Sequence, residues 1–315
     1  MDFRQIYQNP SDALEHLPAS TQESAKLMVR AASHWIELRG AQWGASIAFY
    51  TMFAVAPLLV VAIAVAGAVF GPDAARGQIV GEIEGLTGPV AARAVEAMIE
   101  SAWRHPSGPW ASVLGVITLL VGATGAFTEL RRALNAIGHV KPMPTSAFSA
   151  FVRIRLTGLA LVLGFGFLAI VSLLLSAVLA ALGSYFSDAF PGVAGALALF
   201  DFVISTTVLT LAFGALLRWL PDVPPAWRGV WLGAVSSAAL FSIGKHLIGQ
   251  YLARASLASS YGAAGSFVVL MLWVYYSAQI LLFGGALAAA WEERRQRVVA
   301  AFSDPAQNGG SPALP

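Results

Sequence analysis

Residues 265–291 read GSFVVLMLWVYYSAQILLFGGALAAAW, a run of 27 residues without a charged side chain. A helix needs about 20 predominantly apolar residues to cross a bilayer core about 30 Å thick, whereas an apolar run of about 10 to 14 residues is more typical of a buried core helix. The run exceeds the length required for crossing. It therefore predicts a transmembrane helix.

Five more segments of this kind precede it in the chain: 44–70, 110–128, 156–183, 195–217 and 230–251. Of the 19 basic and 17 acidic residues, only Asp201 and Lys245 fall inside the six segments. Charged residues make up 11% of the chain, against about 25% in ordinary soluble domains. The composition excludes a soluble enzyme, a soluble nucleic-acid binder and a disordered chain. It predicts an all-α polytopic membrane protein with six transmembrane helices in one bundle.

The basic residues between the segments predict the orientation, because Lys and Arg near the ends of spans stay preferentially in the cytoplasm. Fourteen lie in one set of alternating connections and four in the other. Both termini are therefore expected in the cytoplasm. Segment 71–109, with five acidic residues, is expected outside as an external helical segment. It forms either two short helices that cover the outer mouth of the bundle or a surface linker.

The two ends of the chain are more polar than the middle. Residues 1–43 carry too much charge for a signal peptide, so the first apolar segment is expected to act as an uncleaved insertion signal. Residues 20–43 predict an amphipathic helix on the cytoplasmic membrane surface. Its apolar face consists of Leu27, Ala31, Trp35 and Leu38. We expect the six-span domain over 44–297 and a disordered cytoplasmic tail over 298–315.

Polar side chains inside the spans are the candidates for a substrate cavity or translocation path, because hydrogen-bonding groups are costly in hydrocarbon and tend to be functional there. The candidates are Gln42, Ser46, Tyr50 and Pro57 in or beside the first span, Asp201 in the fourth, Lys245 and His246 in the fifth, and Tyr261, Tyr275, Tyr276 and Gln279 before and within the sixth.

Several of these residues have a purely structural alternative. Lys245 and His246 lie toward the outer end of their span, where a lysine can extend its amine to the interface. Asp201 lies near the outer end of its own span, so an Asp201–Lys245 pair is geometrically feasible. Pro57 is expected to kink the first span, either beside a cavity or only for packing.

Motifs of soluble catalysis are absent from the sequence. There is no cysteine, no paired histidine spacing of a zinc site, no nucleophile elbow and no phosphate-binding loop. We therefore expect no enzymatic activity, no cofactor and no metal.

Several sequence motifs resemble those of the YihY/BrkB family of bacterial inner-membrane proteins. The resemblance extends over about residues 26–295. Its strongest words are Leu220-Pro221-Asp222-Val223, Gly244-Lys245, Tyr261-Gly262-Ala263-Ala264-Gly265-Ser266, Leu272-Trp273-Val274-Tyr275-Tyr276-Ser277-Ala278-Gln279, and Ala45-Ser46-Ile47-Ala48-Phe49-Tyr50 followed by Pro57. A weaker word is Ala133-Leu134-Asn135.

The resemblance implies a six-helix bundle in the inner membrane with both termini cytoplasmic. Members usually carry Gly-Ala-Glu near the end of the last span, where this chain has Gly284-Gly285-Ala286. Any role of that glutamate in transport or gating is therefore in doubt here. Members have also been labelled ribonuclease BN, but this chain has neither clustered metal ligands nor a basic groove for RNA. We expect neither nuclease activity nor nucleic-acid partners.

Three functional hypotheses remain at this stage. The first is a transporter or translocation protein for an amphipathic or lipid-like envelope substrate, because the polar groups in the spans are few and mostly uncharged. The second is an ion- or proton-coupled efflux permease for small solutes or osmolytes, which requires Asp201, Lys245 and His246 to face one aqueous path. The third is an envelope scaffold that binds a partner through 71–109. Membrane lipids are the expected partners in every case.

Overall fold

The structure, a computed structural model, describes residues 19–70, 88–104, 109–140, 193–254 and 265–303, with scattered positions between 77 and 84 and between 152 and 178. No strand occurs in the part of the chain that it describes, which confirms the all-α class. Seven helices lie within the continuous ranges: α1 (Ala19–Glu37), α2 (Gly40–Phe70), α3 (Pro89–Arg104), α4 (Pro109–Ile137), α5 (Val193–Trp219), α6 (Trp227–Arg254) and α7 (Gly265–Ser303).

Five of these helices are long and apolar enough to cross a membrane. Among the described residues these stretches are Gly40–Val60, Val113–Ile137, Phe202–Trp219, Trp227–Ile248 and Phe267–Arg297. They coincide with the first, second, fourth, fifth and sixth predicted segments. Most of the third segment, 156–183, lies outside the described residues, so the count of six stays a prediction.

The last helix is longer than the sequence analysis expected. α7 continues to Ser303, through the first six residues of the predicted tail 298–315. These residues include neither Gly nor Pro, and the first helix breaker is Pro305. The sequence from Val298 to Ser303 therefore contains no residue that would stop the helix. The remainder of the predicted tail lies outside the described residues.

α7 is the central element of the bundle and contacts each of the other six helices. Its residues Leu282, Ala286 and Ala290 have no exposed surface. Small residues let α6 approach closely, since the backbones of Gly233 and Gly284 lie side by side. By contrast, each large apolar side chain that the structure describes at the start of α5 exposes half or more of its surface, as expected of a surface that faces lipid.

α1 and α3 both pack on the bundle. The predicted apolar face of α1 is turned toward the core, where Ala31 is fully buried and Trp35 is partly buried. α3 buries Ala91, Val95 and Ile99 and contacts α2, α6 and α7. The described part of segment 71–109 is therefore attached to the bundle, while its position outside the cell stays a prediction.

The helix ends that the basic residues assign to the cytoplasm meet at one end of the bundle. Arg131 of α4 contacts Asp222 in the connection between α5 and α6. Arg294 of α7 contacts Glu23 of α1. We call this end the basic end; the side of the membrane on which it lies is a prediction from sequence.

Candidate functional site

The basic end contains a cavity of about 470 Å³. Its floor is apolar and is formed by α4, α5 and α7 through Leu134, Leu217, Gly285, Ala288 and Ala289. The connection between α5 and α6 forms a wall through Pro221, Val223, Pro224, Pro225 and Ala226. The remaining side is polar, with His139, Glu292, Glu293 and Gln296. The cavity therefore offers an apolar interior and an acidic rim.

The wall of the cavity is attached to α4 by Asp222. The Asn135 amide donates a hydrogen bond of 2.6 Å to Asp222 Oδ2, and the Asp222 backbone N–H donates one of 2.9 Å to Asn135 Oδ1. Arg131 Nη2 donates to Asp222 Oδ1. The Arg131 and Asp222 side chains are only 13% and 14% exposed, so solvent screens this pair little.

A second contact joins the end of α5 to the connection that follows it. Arg218, at the end of α5, donates a hydrogen bond to the carbonyl oxygen of Pro225. Its guanidinium carbon also lies 4.9 Å from the centroid of the Trp227 ring, within the range of a cation–π interaction. Both arginines near the wall are therefore engaged by the protein.

The two adjacent carboxylates of the rim have different surroundings. Glu293 Oε1 lies 3.6 Å from His34 Nε2 and 3.9 Å from His139 Nδ1, and its Oε2 accepts a hydrogen bond of 3.2 Å from Arg297. Glu292 Oε1 is 3.9 Å from Arg295 Nη1, and its buried Oε2 accepts no hydrogen bond from the described residues.

Gln279 and Tyr276, two of the candidates in the sixth predicted span, make close contacts with neighbouring helices. Gln279 lies against Gly44, where an added Cβ would stand 1.9 Å from Nε2, and that nitrogen is 3.5 Å from the Ala41 carbonyl oxygen. The Gln279 Oε1 atom is buried and has no hydrogen-bond partner among the described residues. Tyr276 packs on Gly244 and donates a hydrogen bond of 3.3 Å to the Leu240 carbonyl oxygen. A Cβ added at either glycine would force the facing side chain to move.

The other predicted residues are placed as follows. Tyr50 is half-buried against Gly125 of α4. Ser46, Pro57, Lys245 and Tyr275 are half-buried, while Gln42 and His246 are exposed. Asp201 lies in α5, but its side chain and all of Tyr261 lie outside the described residues. The Asp201–Lys245 pair therefore stays a prediction.

None of the nine predicted candidates whose side chains the structure describes lines the cavity. The predicted candidates are polar residues inside the spans, whereas the cavity lies at the end of the bundle, where polar residues are ordinary. One signal was present in the sequence. Asn135 and Asp222 are 87 residues apart. Both belong to motifs that resemble the YihY/BrkB family, and both follow the end of an apolar segment. The described residues contain no group of three or more side chains suited to a metal ion.

Comparison with known proteins gives a family and several distant relatives. The family described as "Virulence factor BrkB" matches residues 31–308. A UPF0761 membrane protein of Verminephrobacter eiseniae (strain EF01-2) is 30% identical over 254 residues, which cover 78% of this chain and 57% of the relative. A UPF0761 membrane protein of Methylibium petroleiphilum is 28% identical over 78% of this chain and 57% of its own length. This chain thus spans little more than half of those two relatives.

A further relative from Bacillus subtilis (strain 168) has the name ribonuclease-like protein YfkH. It is 28% identical over 226 residues, which cover 69% of this chain and 78% of that protein. No solved structure matches the chain. The family match covers most of the sequence, and relatives named as membrane proteins agree with the apolar helices. The chain is a multi-pass membrane protein and belongs to the BrkB family.

Proposed function

We propose that the protein is a transporter or translocation protein for an amphipathic substrate. The observation that carries the proposal is the cavity at the basic end. Its volume of about 470 Å³ lies within the roughly 300–1,000 Å³ typical of small-molecule sites. An apolar floor beside an acidic rim suits a ligand that has both an apolar and a polar part.

The spans themselves support the same class of substrate. Their described polar side chains are few, and Tyr276 and Gln279 are neutral groups held between helices. A path for hydrated ions is usually lined by rings of charged side chains or backbone carbonyls.

Location and orientation form part of this proposal. We assign the protein to the inner (plasma) membrane with both termini in the cytoplasm, which the distribution of basic residues supports. The cavity then opens toward the cytoplasm. The proposal assigns no catalytic step to the protein.

Reconstitution into liposomes tests the proposal. Transport is measured as dithionite-accessible fluorescence of tail-labelled phospholipids and as uptake of radiolabelled small amphiphiles and solutes. Val223→Trp, at a half-exposed position on the cavity wall, should reduce amphiphile movement about tenfold by filling the cavity. Val235→Trp makes the same change at a similarly exposed position of α6 away from the cavity and should leave the rate unchanged.

Two results would contradict the proposal. One is wild-type protein that moves no amphiphile faster than empty liposomes do. The other is a Val223→Trp variant that moves amphiphiles at the wild-type rate. Coupled flux of small ions or osmolytes without any movement of amphiphiles would instead favour an efflux permease.

A further inference from the structure

A cleft of about 270 Å³ lies between α1 and α7 at the basic end of the bundle. Its described lining brings four positive charges together with one negative charge and one apolar side chain: Lys26, Arg30, Arg294, Arg297, Glu23 and Leu27. We call it the basic cleft. It shares no described lining residue with the cavity of about 470 Å³. The basic cleft is therefore a separate feature, and its excess of positive charge favours an anionic ligand.

Two of the four cations have no acidic partner. The side chains of Lys26 and Arg30 make neither an ion pair nor a hydrogen bond with the described residues. They lie four positions apart on α1, so they are neighbours on one face of the helix, where like charges destabilise one another. An anion bound beside both side chains offsets this repulsion.

The two arginines of α7 have partners, but these pairs are open to solvent. The side chains of Arg294 and Glu23 are 40% and 61% exposed, and those of Arg297 and Glu293 are 59% and 32% exposed. Exposed pairs of this kind contribute little to stability. A ligand can therefore accept hydrogen bonds from these guanidinium groups without breaking a buried pair. The planar guanidinium group matches the oxygens of a phosphate in a two-bond geometry.

The position of the basic cleft brings it to the layer of lipid headgroups. The apolar stretch of α7 that is long enough to cross a membrane ends at Arg297, so the cleft lies at the end of a span. α1 also exposes Met28, Val29 and Ile36, and apolar side chains on an amphipathic helix are typical of a helix in the membrane interface. Basic pockets at this depth bind the headgroups of anionic lipids.

We propose that the basic cleft binds a phosphate group, carried either by an anionic phospholipid or by a soluble phosphate. Lys26 and Arg30 supply the unpaired charge, and Arg294 and Arg297 supply further donors. The cleft is smaller than the roughly 300–1,000 Å³ of a typical small-molecule site, which suits a headgroup whose acyl chains remain in the bilayer. The site goes beyond the proposed function and does not depend on it, because it needs no transported substrate.

Calorimetry on the purified full-length chain in an uncharged detergent tests the site. Dihexanoyl phosphatidylglycerol, used below its micelle concentration, should bind about tenfold more tightly than dihexanoyl phosphatidylcholine, which has the same acyl chains and no net charge. Hexanoate, an anion with the same acyl chain and no phosphate, should also bind more weakly than phosphatidylglycerol. The phosphatidylcholine titration measures partition into the detergent.

Two sets of variants assign the binding to the basic cleft. The double variant Lys26→Gln with Arg30→Gln should weaken phosphatidylglycerol binding about tenfold. Its control, Arg39→Gln with Arg228→Gln, removes two exposed cations outside the described lining and should change the affinity less than about twofold.

Removal of the lining acid should have the opposite effect. Glu23→Gln removes the negative charge of the cleft and releases Arg294, so it should tighten phosphatidylglycerol binding. Glu37→Gln makes the same change at an exposed position of α1 outside the described lining and should leave the affinity unchanged. Circular dichroism and the elution volume of each variant establish that it is folded.

Competition with inorganic phosphate identifies the source of the phosphate group. Displacement of phosphatidylglycerol by millimolar phosphate indicates a soluble ligand, whereas binding that resists it indicates a lipid headgroup; both results support the site. Phosphatidylcholine or hexanoate that binds as tightly as phosphatidylglycerol overturns it, as does a folded Lys26→Gln, Arg30→Gln variant with wild-type affinity. Phosphatidylglycerol binding at the basic cleft of a protein that moves no amphiphile upholds the site and overturns the transport proposal.

Discussion

Asp222 and Glu292 are two carboxylates at the same end of the bundle, and their surroundings differ. Asp222 accepts hydrogen bonds from Arg131 and Asn135 and joins the cavity wall to α4. Glu292 has a buried oxygen that receives no donor from the described residues. A carboxylate whose acceptors are satisfied by the fold stabilises the fold, whereas a buried carboxylate oxygen left without a donor lowers stability. The comparison separates Asp222, a structural acid, from Glu292, an acid with an unsatisfied oxygen.

The largest effect is expected for Asp222→Ala. This variant leaves Arg131 largely buried without its partner and removes the hydrogen bond from the Asn135 amide to the Asp222 carboxylate, while the backbone N–H of residue 222 can still donate to Asn135. Breaking a buried pair from one side costs about 3 kcal/mol or more. The thermal unfolding midpoint in detergent should therefore fall by several degrees. It is measured by size-exclusion chromatography of the protein that stays soluble after heating.

The matched control for Asp222→Ala is the double variant Arg131→Leu with Asp222→Leu. Because it removes both charges together, it should recover part of the lost stability. An Asp222→Ala variant that unfolds at the wild-type temperature would show that Asp222 does not stabilise the cavity wall.

An intermediate effect is expected for Glu293→Gln. This change weakens the contacts with His34, His139 and Arg297, which are partly exposed. Pairs of this kind contribute about 0.2–1 kcal/mol each, so the unfolding midpoint should fall by less than it does for Asp222→Ala. A fall as large as that of Asp222→Ala would place Glu293 with the structural acid.

The smallest effect on stability is expected for Glu292→Gln. Since Oε2 has no donor to lose, the free energy of unfolding should stay within about 0.5 kcal/mol of wild type. A rise in the unfolding midpoint would agree with relief of an unsatisfied buried oxygen. A drop comparable to that of Asp222→Ala would mean that Glu292 supports the fold, and it would remove the distinction between the two acids.

The apolar helices could be predicted from sequence because a bilayer demands long uncharged runs, and such runs need no knowledge of their neighbours. The five described spans coincide with predicted segments for this reason. The sequence does not predict how α3 packs, since buried alanines such as Ala91 carry little information about what they contact. The composition of the tail predicts an end of α7 that is too early, because residues 298–303 precede the first helix breaker and continue the helix.

The cavity could not be predicted from the sequence for a different reason. Its lining brings together the end of α4, the connection before α6 and the last third of α7. No periodicity links residues so far apart as Leu134 and Glu292. Glu292 and Glu293 also follow the last apolar segment, where charged residues are expected in any membrane protein. Intramembrane candidates such as Gln279 were easier to find because hydrocarbon makes a polar residue conspicuous.

The central position of α7 has a consequence for biosynthesis. The six helices that it contacts all precede it in the chain, and chains are synthesised from the N-terminus at about 5–20 residues per second. The earlier helices can enter the membrane independently, but they lack their common neighbour until α7 is inserted. A ribosome that stalls before residue 265 therefore leaves a set of inserted helices without the helix that joins them, which is a substrate for membrane quality control.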